Sequence, residues 1–276
     1  MKKKYLNNCF DPAKVIAGLD ELPFWSAPFG LKLLEAVNYK PGITVLDIGS
    51  GTGFPLTELA MRLGDRSVVY GIDPWKEAME RAREKTDCYG ITNIRMIDGV
   101  AESVPLADDS VDLITSNNGI NNVADMGKVL SECARVLKQG GQFVQTMNLD
   151  QSMFEFYGQM ESVLTEMDMA GEVKSMHEHI AHKRPSVDRM KTLLQEQGFT
   201  IRSLVYDQFN YYFVDGTAMF NHYIIRLAFI DSWLKLLPAG RADEIFDKVE
   251  TRLNEYARRY GGLKLSIPFV LIDTTR

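Results

Sequence analysis

Residues 45–53 read VLDIGSGTG, and the fold of the whole chain is read outward from them. Val45, Leu46 and Ile48 around Asp47 make a short apolar run of the kind found in a strand buried on both faces. Gly49, Gly51 and Gly53 then alternate with Ser50 and Thr52. Glycines at this spacing turn the backbone sharply and let another group approach it closely. Downstream, short apolar runs at 43–48, 67–72, 94–97, 111–116 and 142–147 alternate with helical stretches at 76–88 and 125–137, the second stopping at Gly140 and Gly141. That alternation is the βαβ rhythm of a largely parallel sheet.

The flanks complete the reading. Residues 1–40 are expected to form a helical cap and 151–183 further helices. Ser186 caps a helix that ends before Gly198. A sixth strand is expected at 199–206, helices at 217–237 and 242–260, and a last strand at 265–272. The expected architecture is α/β and Rossmann-like. It has a seven-stranded, mostly parallel sheet with helices on both faces, strands six and seven forming an antiparallel edge. A helical lid over residues 214–262 is inserted between those two strands. All of 1–276 is read as one domain, with 41–150 as its ligand-binding core.

Composition narrows the function. Hydrophobic residues make up 45% and charged residues 25% of the chain, the balance of a soluble globular protein. A net charge of -6 argues against a nucleic-acid partner, which needs a basic stripe. The three cysteines, Cys9, Cys88 and Cys133, lack metal or redox spacing and suit reduced thiols in a cytoplasmic protein. The basic start MKKK has no apolar run behind it, so no signal peptide is expected. Nor is a membrane span, which needs about 18 consecutive apolar residues.

The glycine turn is followed by an acid, Asp73, at the end of the second strand, where a carboxylate is placed to accept from two ribose hydroxyls. A dinucleotide would use the same layout, but its fingerprint requires a small third residue where this chain has the bulky Phe54. A pyrophosphate would also meet the Asp47 carboxylate. S-adenosylmethionine has no phosphate and carries an ammonium and a sulfonium, both attracted by Asp47. The bland alternative is a structural turn with no ligand.

With these residues in place, the chain resembles the class I S-adenosylmethionine-dependent methyltransferases, most closely the small-molecule branch that includes the ubiquinone and menaquinone C-methyltransferases. The cofactor loop matches VLDIGSGTG and the ribose acid matches Asp73 in GIDP. The third motif, usually GDAxxLPF, appears as Gly99-Val100-Ala101-Glu102-Ser103-Val104-Pro105-Leu106. The fourth is VDLITSNN at 111–118, and RVLKQGG at 135–141 and IPFVLID at 267–273 also match. The resemblance implies a cofactor site made of Asp47, Gly49, Ser50, Gly51, Thr52, Gly53, Asp73, Pro74, Trp75, Gly99, Val100, Ala101, Glu102, Asn117 and Asn118. S-adenosylmethionine is the implied cofactor and S-adenosylhomocysteine its product. Two departures stand out. Val100 replaces the acid that reads the adenine amine, leaving that role to Asp98 or to the backbone near Ala101. In GINNVAD (119–125), Asn121 replaces the arginine of the quinone enzymes.

Methyl transfer draws much of its rate from orientation; an amine or thiolate acceptor needs no strong base, whereas a phenol or carbon acid needs its proton removed, a task for a His, Asp or Glu near the acceptor. Trp25 and Phe29 in PFWSAPFG read equally as an aromatic face toward the acceptor or as a hydrophobic cap packed on the sheet; with Asn121 and Asn122 they are the candidate acceptor contacts, and Asn122 and His222 are the candidate catalytic groups. Around His177, His179 and His182 no clear carboxylate or cysteine partner completes a metal site, and no metal is expected. An apolar face of Phe220, Ile224, Leu227, Ile230 and Leu234 reads as lid, packing face, dimer contact or membrane-surface helix, the few flanking Lys and Arg counting against the last. The expected partner is a small-molecule substrate, with a homodimer as an option. The competing functions are a non-catalytic S-adenosylmethionine-binding protein and a methyltransferase acting on protein or nucleic acid. The latter is disfavoured by SNNG in place of a [DN]PP[YF] motif.

Overall fold

The computed structural model describes Ile16, Asp20 and residues 24–276. Cys9 and the N-terminal part of the expected cap lie outside the described residues. Among the described residues, seven strands form one sheet: β1 (Thr44–Ile48), β2 (Val68–Asp73), β3 (Ile94–Asp98), β4 (Val111–Asn117), β5 (Leu137–Asn148), β6 (Thr200–Phe213) and β7 (Leu263–Thr275). The order is β3-β2-β1-β4-β5-β7-β6. β1 pairs in parallel with β2 on one side and β4 on the other, and β7 pairs antiparallel with β5. Strand order reverses between β1 and β4, so the carboxyl ends of these two strands open the crevice where sheets of this kind bind ligands.

Alternation along β1 sorts its side chains. Leu46 and Ile48 face a core shared with α4 (Met126–Val136) and α7 (Val187–Glu196), whose Val129, Leu130, Cys133, Met190 and Leu194 are buried there. Val45 faces the opposite core, beneath α1 (Ser26–Ala36) and α2 (Leu56–Leu63), with Leu33, Leu34, Leu56 and Leu59. Asp47 lies on Val45's side of the sheet by period two. α3 (Lys76–Tyr89) follows β2 and ends at Gly90 in the left-handed region. α4 starts at Asp125, whose side chain accepts from the Lys128 amide.

Contacts divide the chain into two compact units. One holds Pro23–Leu149, Arg184–Asp207 and Phe269–Arg276, and contains both cores just described. The other includes Asp150–Lys183 and Gln208–Pro268. Its helices are α5 (Phe154–Glu166), α6 (Ala170–Lys183), α8 (Gly216–Asn221), α9 (Tyr223–Ala228), α10 (Ile230–Leu234) and α11 (Ala242–Tyr260). Trp233 is fully buried there, stacked on Phe156 at 3.9 Å, and its indole N–H donates to the Tyr157 hydroxyl. The expected 214–262 insertion thus shares a unit with 150–183, a grouping that periodicity does not reveal.

Two expectations need correction. The helix expected over 217–237 is three short helices, broken where His222 is extended (ψ 136) and at Phe229. The breaks let Phe220, Ile224, Ile230 and Trp233 all be buried. The helix expected to stop at Gly140–Gly141 ends at Val136, because Leu137 is already extended (ψ 131) and begins β5. Pairing then jumps from Val111↔Leu137 to Leu113↔Gln142, and Gly140, at φ +75, lies in the irregular stretch between. No helix of the described residues is long and apolar enough to cross a membrane.

Candidate cofactor cleft

The three loop glycines do different jobs. Gly49 has φ +74, and a Cβ there would come within 3.0 Å of Gly119 Cα, so this glycine lets the loops after β1 and β4 touch. Gly53, at φ +100, would place a Cβ 3.3 Å from Ala82 of α3. At Gly51, φ +51, a Cβ would meet no protein atom within 4 Å. Gly49 and Gly53 therefore serve packing, whereas Gly51 borders open space. The Ile72 carbonyl accepts from the Gly49 N–H at 3.0 Å and holds the turn against β2.

Asp73 is half-buried at the end of β2. Its Oδ2 accepts from the Gly51 N–H at 2.9 Å and its Oδ1 from the Trp75 N–H at 2.8 Å. Each carboxylate oxygen has a second lone pair, so Asp73 retains accepting capacity for a diol while clamping the loop.

Asp47 is wholly buried. Its Oδ1 accepts from the Thr115 hydroxyl at 2.7 Å, and its Oδ2 has no partner among the described residues. Burial pushes the carboxyl up to about 7, opposed by the Thr115 hydrogen bond and aided by the charge of Asp73. A buried acceptor left unmet is rare and costly. A ligand cation would satisfy it. The orphaned Asp47 oxygen, the open flank of Gly51 and the remaining capacity of Asp73 together fit a ligand with an ammonium at one end and a ribose at the other.

The asparagines after β4 are knitted into the scaffold. Asn117 donates to the Ser26 carbonyl at 3.0 Å, fixing the start of α1, and accepts from Thr146. Asn118, at φ +56, accepts through Oδ1 from Asn121 Nδ2 at 2.9 Å and from the Asn148 N–H at 3.0 Å. Asn122 donates to the Asn118 carbonyl.

The third motif is held from outside. Glu102 accepts from the amides of Ala124 and Asp125, and Arg135 donates to the carbonyls of Val104 and Leu106 and to Asp108. Asp98, the expected substitute for the missing acid, is paired with Arg83 of α3 at 2.6 Å. Val100 is exposed and Ala101 buried.

Phe29 corrects an expectation. Its ring has no exposed surface and packs edge-on against Phe269 at 4.9 Å, so it is a core side chain and not a wall of an acceptor site. Trp25, half-buried, rests on its edge at 5.7 Å. His222 belongs to the other unit, with its Nδ1 buried without a partner among the described residues and its ring T-shaped against Phe213. Burial lowers its pKa, favouring the neutral imidazole. His177 contacts Glu161 across α5 and α6 at 3.2 Å.

Sequence reading missed Thr115, Asn148 and Arg135. Each acts through a partner distant in sequence, and RVLKQGG signals a motif without saying what its arginine holds.

Residues 39–198 match the family model of a methyltransferase domain. The demethylmenaquinone methyltransferase of Bacillus licheniformis is 36% identical over 125 residues, which is 45% of this chain and 53% of that protein. The chain thus spans about half the length of the curated relatives it matches. A SAM-dependent methyltransferase from Aquifex aeolicus, 25% identical, superposes with a TM-score of 0.54 over 71% of this chain and 93% of that one. The YcgJ protein of Bacillus subtilis superposes at 0.56 over 91% and 98%, with 21% identity, a likeness of fold.

Proposed function

This chain belongs to the methyltransferase-domain family, a family of S-adenosylmethionine-dependent enzymes, and from that premise we propose that it transfers the methyl group of S-adenosylmethionine to a small, apolar or aromatic acceptor. The observation that carries the reading is the buried Asp47, with one carboxylate oxygen unmet, next to the glycine loop. Asp47 holds the ammonium end of the donor, Asp73 the ribose, and the open flank of Gly51 admits the backbone contact between them. When bound, S-adenosylmethionine would supply a methyl group already activated on a sulfonium, with the thioether S-adenosylhomocysteine as the leaving group. The protein's task is then orientation, and proximity supplies much of the rate. Asn117, Asn118 and the third-motif loop, fixed by Arg135 and Glu102, give the cleft rigid walls.

Binding and turnover together test this. Calorimetry with S-adenosylmethionine is expected to give one saturable site, and labelled methyl transfer to be seen with an aromatic member of an acceptor panel. Binding without transfer to any acceptor would favour the non-catalytic alternative; no binding would remove the proposal.

A further inference from the structure

The turn after β4 carries a buried amide of which only half is satisfied. Asn121 is 8% exposed. Both N–H groups of its Nδ2 are used, one donated to Asn118 Oδ1 at 2.9 Å and one to Asn148 Oδ1 at 3.0 Å. Its Oδ1 is sealed from bulk water and accepts nothing from the described residues. Chemistry fixes this orientation. Turning the amide over would press its oxygen against the oxygens of Asn118 and Asn148. Asn118 cannot turn to compensate, because its Oδ1 also accepts from the Asn148 backbone N–H at 3.0 Å. The protein therefore presents a rigid, unmet hydrogen-bond acceptor and no spare donor at this point.

The amide also stands beside the cofactor loop. Two residues earlier, Gly119 is packed so tightly that a Cβ on it would come 2.6 Å from the Ile48 carbonyl, and a Cβ on Gly49 would come 3.0 Å from Gly119 itself. The turn thus rests on the glycine loop, at the carboxyl end of β4, where the sheet order reverses. Oδ1 is thus a buried acceptor left unmet in the ligand-free chain, the kind of group that a donor on a bound ligand satisfies.

We propose that Asn121 Oδ1 determines acceptor specificity by accepting a hydrogen bond from an O–H or N–H of the methyl acceptor, so that the chain selects aromatic alcohols and amines over ethers and quinones of the same skeleton. The inference rests on the methyltransferase reading above and names the acceptor class within it.

Matched pairs test it on the wild-type chain: 2-naphthol and 2-naphthylamine against 2-methoxynaphthalene, and one-ring and three-ring equivalents, titrated into protein saturated with S-adenosylhomocysteine. The donor-bearing member of at least one pair is expected to bind about tenfold or more tightly than its ether, the effect of one hydrogen bond to a buried neutral group. In Asn121→Leu that preference is expected to disappear, with KM for the preferred acceptor raised and S-adenosylhomocysteine affinity kept. Asn148→Ala, which frees one side of the amide, is expected to reduce the preference by less. Equal binding of ethers and alcohols, no binding by any donor-bearing compound, or an undiminished preference in a folded Asn121→Leu each overturns the proposal. So does loss of S-adenosylhomocysteine binding in a folded Asn121→Leu, which would give Oδ1 to the cofactor. Failure of wild-type protein to bind S-adenosylhomocysteine at all would instead strike the methyltransferase reading.

Discussion

The glycine loop after β1 and the asparagine turn after β4 touch at Gly49 and Gly119, yet they are made rigid by opposite means. The loop is held through its backbone: Ile72 carbonyl and Asp73 carboxylate accept its amides, and positive φ at three glycines shapes it. The turn is held through side-chain amides, Asn118, Asn121 and Asn148, bonded to one another. In each region one buried oxygen is left unmet, Asp47 Oδ2 in the first and Asn121 Oδ1 in the second. The difference is one of charge. A carboxylate invites a cation; an amide oxygen invites a neutral donor. That contrast underlies the proposed division, donor recognition at the loop and acceptor recognition at the turn.

The sharpest way to break the assignment is at Gly51. Gly51→Val adds a Cβ with no protein atom within 4 Å, so its main cost to folding is the strain of positive φ, about 1–2 kcal/mol. S-adenosylmethionine affinity is expected to fall beyond detection while the melting temperature drops modestly. Gly49→Val meets Gly119 instead and is expected to lower stability as well as binding. Retained binding in Gly51→Val, by calorimetry, would show that the open flank is not the cofactor's path.

Asp73→Ala comes next. It removes the acceptor of the Gly51 and Trp75 amides as well as the proposed ribose contact. Weakening of about 10- to 100-fold is expected, in line with charge-assisted hydrogen bonds, and Asp73→Asn is expected to lose less. An unchanged dissociation constant in Asp73→Ala would refute the ribose assignment.

Asp47 gives a smaller effect with a definite pH signature. Its carboxyl is raised by burial from 3.8 to about 7. The folded protein therefore holds this proton more tightly than the unfolded chain. The resulting stabilisation is complete below about pH 4, is lost as pH rises toward about 7, and changes no further above, with a limiting slope of about 1.4 kcal/mol per pH unit. In ligand-free protein, Asp47→Asn is expected to flatten the pH dependence of the denaturation midpoint between about pH 4 and about pH 7 relative to wild type. Binding of a cation favours the ionised form, so near pH 7 S-adenosylmethionine binding is expected to release protons, seen as a buffer-dependent heat of binding. A buffer-independent heat would detach Asp47 from the cofactor. The mildest change is Asn117→Ala, which loses the hydrogen bond to the Ser26 carbonyl. It is expected to cost about 1–2 kcal/mol of stability and leave S-adenosylmethionine affinity nearly unchanged.

What could be read from sequence divides along the same line. The loop was legible because glycines and a strand-end acid are a backbone requirement written in residue type. So were the five parallel strands and α11, whose 242–260 boundaries agree with the expected helix. The turn was legible only as polar residues in a favourable place. Which asparagine is spare depends on Asn148, 27 residues beyond Asn121. Phe29 read equally well as an aromatic face or as core, and only its contact with Phe269 decides. The break at His222 was hidden for a similar reason: packing of Phe220 and Trp233 in one unit overrides a continuous apolar stretch that reads as one helix. Even Asp47 was read as a fixed charge, whereas its burial makes that charge depend on what binds.

The central claim is that the VLDIGSGTG loop receives S-adenosylmethionine. Its most direct test is a calorimetric titration of the full chain at pH 7 with S-adenosylmethionine and, separately, NAD. Saturable one-site binding of S-adenosylmethionine, absent for NAD and abolished in Gly51→Val, is the predicted result. No binding of S-adenosylmethionine, or equal binding of NAD, would contradict it.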